Sequence, residues 1–103
     1  MDNKTLERLQ VWYSSMCNDD WEHTYGIHIS NIDNPGWAVK VELNGTHLYD
    51  VTFNEVDIQR ADENDWIICK VEEGNFQGYG GPHNLVEILE IFLDWGGNAT
   101  ASE

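Results

Sequence analysis

Residues 24–53, TYGIHISNIDNPGWAVKVELNGTHLYDVTF, decide how the chain folds. From Thr24 to Ile32 the side chains alternate. Tyr25, Ile27 and Ile29 point one way and Gly26, His28 and Ser30 the other, the pattern of a half-buried strand. Asp33-Asn34-Pro35-Gly36 reads as a turn, with Pro presetting φ at the second position and Gly tolerating a positive φ beyond it. A second strand follows, in which Trp37, Val39, Val41 and Leu43 alternate inward against Lys40 and Glu42. Asn44-Gly45 is a strong hairpin signal and predicts a third strand over Thr46 to Phe53, with Tyr49, Val51 and Phe53 on its apolar face. Strands joined by successive hairpins form an antiparallel meander.

Outward from this stretch the apolar period changes. Residues 4–17 place Leu6, Leu9, Tyr13 and Met16 at helical spacing, with Trp12 widening the stripe and Asp2 or Asn3 available as a cap. On the other side, Val56 and Ile58 suit the start of a strand, Asp62-Glu63-Asn64-Asp65 is a loop, and Trp66 to Glu72 reads as a further strand. Residues 74–82, GNFQGYGGP, read as a glycine-rich loop. Asn84 with Glu87 is a capping-box-like start to a second helix. That helix carries Leu85, Ile88, Leu89 and Phe92 as its stripe and Gly96-Gly97 as its end. Two apolar helix stripes need a surface to cover. The predicted fold is α+β: an antiparallel meander sheet of four or five strands with an N-terminal and a C-terminal helix packed on one face. Residues 1–97 form one domain and residues 98–103 a disordered tail.

Composition narrows the function. The 103 residues hold 19 Asp plus Glu against five Lys plus Arg, a formal net charge of -14. Such a field repels nucleic-acid phosphates and anionic lipid and attracts basic partners, although acidity also serves solubility alone. Cys17 and Cys69 are far apart and in no CxxC pattern, and no apolar segment precedes the first helix. The expectation is a cytoplasmic protein with reduced thiols, no membrane association and no nucleic-acid binding.

Chemistry is poorly represented. Cys17, Asp19, Asp20, Glu22, His23 and His28 lie close in sequence, but no HxH or HxxxH pair exists, and on a continuous strand His23 and His28 would face opposite sides. No metal or cofactor is expected. Cys17 is followed by Asp19, Asp20 and Glu22, which oppose a thiolate, while Cys69 sits mid-strand. The glycine-rich loop lacks the GK[ST] of a phosphate-binding loop and holds no Lys or Arg. No catalytic residue is assigned. What remains is a surface: Asp19, Asp20, Glu22 and Asp33 crowd the segment that carries Trp21 and Trp37, and aromatic anchors ringed by acids suit a basic protein partner. The candidate partner-binding residues are Asp19, Asp20, Trp21, Glu22, His23, His28 and Asp33. Trp37 is assigned to the core.

The run Trp12-Tyr13, Cys17, Asp20-Trp21-Glu22-His23, Tyr25-Gly26-Ile27 and Asp33-Asn34-Pro35-Gly36-Trp37 resembles the immunity protein 53 family of bacterial polymorphic toxin systems. Gly80-Gly81-Pro82, Asn84-Leu85, Glu87-Ile88, Phe92-Leu93 and Trp95 are similar to the same family's ending, so the likeness runs from about Leu9 to Trp95. The resemblance implies a small cytoplasmic antidote that binds and neutralises a toxin domain without catalysis. It carries over no binding residues. With the charge, it points to a basic toxin such as a nuclease; the oligomeric state stays open. Members also travel under a sulfurtransferase label, so a thiol-dependent, rhodanese-related enzyme is the alternative.

Overall fold

The computed structural model describes residues 4–101, and of residues 97–101 the backbone alone. The chain runs α1 (Lys4–Met16), a helical turn α2 (Trp21–Thr24), β1 (Ile27–Ile32), β2 (Gly36–Glu42), β3 (Val56–Gln59), β4 (Trp66–Glu72), β5 (Asn75–Gly80) and α3 (Leu85–Ala101). All strand pairs are antiparallel in a single sheet, and the α+β class with a helix at each end is as the sequence predicts.

The strand order is β1-β2-β5-β4-β3, so the sheet is not a meander in chain order. Two predicted elements account for the difference. The glycine-rich stretch is a strand, β5, and lies at the centre of the sheet between β2 and β4. Phe76, Gly78 and Gly80 face inward and Gln77 and Tyr79 outward, an alternation hidden because two inward positions have no side chain. Those bare positions admit α3: a Cβ at Gly78 would stand 2.5 Å from Ile88 Cγ2, and one at Gly80 2.9 Å from Ile88 Cδ1. The same absence lets neighbouring backbones close up. A Cβ at Gly36 would meet the Gly80 carbonyl oxygen at 2.1 Å, and one at Gly81 would meet that of Asn64 at 1.8 Å. Gly36 is therefore required by close approach rather than by a positive φ.

The second difference is residues 46–53, which form turns and extended loop instead of a strand. Asn44-Gly45 does turn, with Gly45 at φ 81°, but Thr46 folds the chain away from the sheet. Its Oγ1 donates to the Leu43 carbonyl at 2.7 Å and accepts from the Leu48 N–H at 3.1 Å. Leu48 is thereby plugged into the core, and Leu43 N–H turns to the Gly74 carbonyl at 2.8 Å. The loop then crosses to the far side of the sheet, pinned by Trp95 Nε1 donating to the Thr52 carbonyl at 2.9 Å, and β3 forms the opposite edge.

The core lies between the inner sheet face and the two long helices. Val39, Val41, Ile67, Cys69 and Phe76 supply the sheet side; Ile88, Leu89, Phe92 and Leu93 the α3 side; Leu9 and Trp12 the α1 side. Trp12 meets Phe92 edge-on at 4.9 Å, a favoured arrangement of ring quadrupoles. Polar ties add register between the helices: Thr5 Oγ1 donates to Glu90 Oε2 at 3.0 Å and Arg8 to Asp94 at 2.9 Å. α3 runs through Gly96 and Gly97 rather than ending there. Gly96 serves packing, since a Cβ on it would lie 3.3 Å from Leu48 Cδ1. Of the tail expected from residue 98, residues 98–101 are helical, and residues 102 and 103, like Asp2 and Asn3, lie outside the described residues.

Asn84 is buried at the start of α3 but does not cap it with its side chain. Its Oδ1 accepts from the N–H groups of Gly81 at 3.1 Å and Trp66 at 3.4 Å, and its Nδ2 donates to Asp65 at 3.0 Å. Glu87 turns instead to Arg60, which donates to its two oxygens at 3.0 and 2.6 Å and to Asp65 at 2.9 Å. This cluster buttons the β3–β4 hairpin to α3.

Substituting Gly81→Ala or Gly36→Ala forces apart two backbones that have no flexible side chain to yield. Each is expected to lower stability by roughly 1–3 kcal/mol or more, read as a lower urea midpoint. The Arg60 cluster adds a pH dependence. The Arg60 guanidinium donates to Glu87, and Asn84 and Arg60 donate to Asp65, so both carboxyls are held below their ordinary range. Depressed values in the fold contribute stability that is present above the unfolded carboxyl range, near pH 4, and lost as pH falls through the folded values. The pairs are solvent-screened, so the effect is modest. Thermal melts between neutral and acid pH should show a shallower acid loss in Glu87→Gln than in the unsubstituted chain.

Candidate functional site

The segment from Cys17 to Tyr25 is a loop wound around one buried side chain. Trp21 is 2% exposed, packed edge-on against Trp12 at 5.9 Å and Tyr13 at 5.7 Å. Its Nε1 donates to the Glu42 carbonyl at 3.2 Å, which ties the loop to the end of β2. The indole is therefore a core anchor, and the acids around it flank a buried rather than an exposed ring.

Glu22 holds the loop's shape. Its two oxygens accept from the backbone N–H groups of Asn18 at 2.8 Å and Asp19 at 2.7 Å. The hydrogen bond from its own backbone N–H, with those from Asn18 and Asp19, keeps its carboxyl below the usual range. Asn18 Oδ1 accepts from the N–H groups of Asp20 and Trp21 at 3.1 and 2.9 Å, closing the turn. Asp19 takes up φ 70°, a left-handed conformation that Asp tolerates better than most residues. Asp19 and Asp20 are left exposed on the outer side of this turn.

Asp19, Glu22 and His23 bring one ligand atom each within 4.8 Å of one another. Both Glu22 oxygens already accept backbone N–H bonds, so the group's first role is to hold the loop. The other candidates stand apart. His28 is on the opposite, outer sheet face, with Nε2 3.1 Å from Glu42 Oε1, beside a shallow hollow lined by Lys40, Gln77 and Tyr79. Asp33 is exposed in the turn after β1, the length of that strand, about 20 Å, from its start. The seven residues are thus no single cluster: the acids bracket β1, one group before it and one residue after it.

The thiols offer no paired nucleophile. Cys69 is buried in β4, and burial pushes its thiol up to about 12. Cys17 is exposed, and its Sγ donates to the Tyr13 carbonyl at 3.3 Å. Trp37 is half-buried, with Nε1 donating to the Pro82 carbonyl at 2.9 Å. No helix among the described residues is long and apolar enough to cross a membrane. The Arg60–Glu87–Asp65–Asn84 cluster escapes sequence reading because its members are brought together only by the β3–β4 hairpin meeting α3.

A family model described as immunity protein 53 matches residues 6–97. Comparison with curated proteins finds no match, and neither does comparison with solved structures.

Because Trp21 is a core residue, Trp21→Ala should cost roughly 3–5 kcal/mol of stability, measured by denaturant unfolding. Asp20→Asn, on the exposed side of the same turn, should leave the midpoint unchanged.

Proposed function

The chain belongs to the immunity protein 53 family, and from that premise we propose that it neutralises a cognate polymorphic toxin domain by direct, non-catalytic binding in the cytoplasm. The toxin is basic, a nuclease being the type that fits best. The observation that carries this is the sign and placement of charge. The chain has a net charge of -14, and between Leu9 and Val39 there is no Lys or Arg, while Asp19, Asp20, Glu22 and Asp33 all fall there. An acidic surface of this kind steers a basic protein into contact and competes with the anionic substrate of a nuclease. Thiol catalysis finds no support in a buried Cys69 and a Cys17 set beside acids.

The direct test is rescue of growth. The toxin domain encoded beside this gene is expressed with and without the chain, and the two proteins are then co-purified. Rescue with a stable complex is the expected result; rescue without a complex would replace binding by enzymatic detoxification. Charge reversal then locates the contact. Glu22 is left in place because it holds the loop. Asp20→Lys with Asp33→Lys should slow association several-fold, roughly in the range of other rim charges, with an unchanged melting temperature and a weaker dependence on salt.

A further inference from the structure

We infer that the toxin docks by adding an extended, basic segment to the free edge of β1, with an apolar side chain of that segment seated in the groove between β1 and α1. The inference rests on the toxin-binding reading above and specifies its geometry.

Three features converge on this edge. The first is a gap in the helical layer. Ile29 pairs with Val39 and so points to the same inner face, yet Ile29 is 41% exposed where Val39 is 1% exposed. α1 does not reach over the edge. Its own Leu6 and Tyr13 are 50% and 40% exposed, although they belong to the stripe that should be buried. Between the two elements lies an open groove of about 380 Å³ lined by Leu9, Gln10, Tyr13, Gly26 and Ile27.

The second is unpaired backbone. Among the described residues, β1 has β2 as its one neighbour in the sheet. Glu42 N–H donates to the Gly26 carbonyl at 3.1 Å, and with the β1–β2 register this puts the inward-bonding positions of β1 at even numbers. The N–H and C=O groups of Ile27, Ile29 and Asn31 therefore face away from the sheet. Edge strands are usually blunted by Lys, Pro or a bulge. β1 carries no Lys or Pro over six residues and keeps an unbroken register with β2. β3, the other edge, has only four residues. Strand addition uses such an edge for affinity and the flanking pocket for specificity.

The third is charge. Asp19, Asp20 and Glu22 lie before β1 and Asp33 directly after it, so a strand laid along this edge has acids at both ends. Complementarity selects a basic segment over an acidic one and over a second copy of this acidic chain.

Gln10 makes the test specific. It lines the groove from α1 and is itself exposed, so Gln10→Trp fills the groove without displacing a buried side chain of the free protein. The full chain and its Gln10→Trp variant are titrated with the purified toxin domain encoded beside the gene. Backbone amide exchange of the unsubstituted chain is followed in parallel. The expected result is an unchanged melting temperature, affinity weakened roughly ten- to hundredfold, and new protection of the Ile27, Ile29 and Asn31 amides in the unsubstituted complex. A complex in which these amides stay unprotected, or which Gln10→Trp forms as tightly, overturns the edge while leaving toxin binding intact. No complex with the unsubstituted chain overturns both readings. Protection of the same amides in a homodimer, without toxin, would assign the edge to a second copy and overturn the inference.

Discussion

The close approach of α3 to β5 is the constraint on which the rest depends. Ile88 occupies the space that side chains at Gly78 and Gly80 would fill. Helix and sheet normally pack through a layer of side chains on both sides; at these two positions the sheet contributes backbone alone. That contact seats Phe92 against Phe76, ring centroids 5.1 Å apart, in the core cluster that also holds Leu89 and the β2 valines. It also makes β5 the strand over which the helix layer is centred. The neighbours follow from the same economy of atoms, since Gly36 and Gly81 let the β1–β2 turn and the β3–β4 hairpin approach β5 at backbone distance.

A second tier of order hangs on aromatic rings. Trp12 bridges α3 and the α2 loop by touching both Phe92 and Trp21. Trp21 in turn reaches the β2 backbone through Glu42. The loop is therefore fastened from inside, and Glu22 and Asn18 satisfy its backbone donors. Its exposed acids are presented from a fixed base. For a binding protein this matters physically, because charges held in place by the fold need not be ordered again on association.

Charge is distributed unevenly over the two sides of the sheet. The outer face carries Lys40 and Lys70, two of only five Lys and Arg in the chain, alongside His28, Gln77 and Tyr79. The acids of the α2 loop and of the β1–β2 turn gather at the ends of β1, where the helical layer also stops short. Steering charge and uncovered apolar surface thus coincide at one edge of the sandwich, while the outer face has a different character.

The residues themselves determined the α+β class, the two amphipathic helices, β1, β2 and β4, and the acidity around Trp21. Periodicity and charge are local properties, and they read correctly where side chains carried the pattern and no tertiary contact overrode it. The sequence also held the family likeness in its Trp-Glu-His and Asp-Asn-Pro-Gly-Trp runs, which the match over residues 6–97 bears out. Tertiary structure alone decided the strand order. Gly78 and Gly80 present no side chain, so the central strand looks like a loop until a helix is seen lying on it. It also decided that residues 46–53 leave the sheet, because Thr46 and Leu48 gain more from a turn and a core position than from a hairpin. And it decided that Trp21 is buried while Ile29, on the inner face, stays uncovered, since burial depends on where the helical layer ends, and no single segment encodes that boundary.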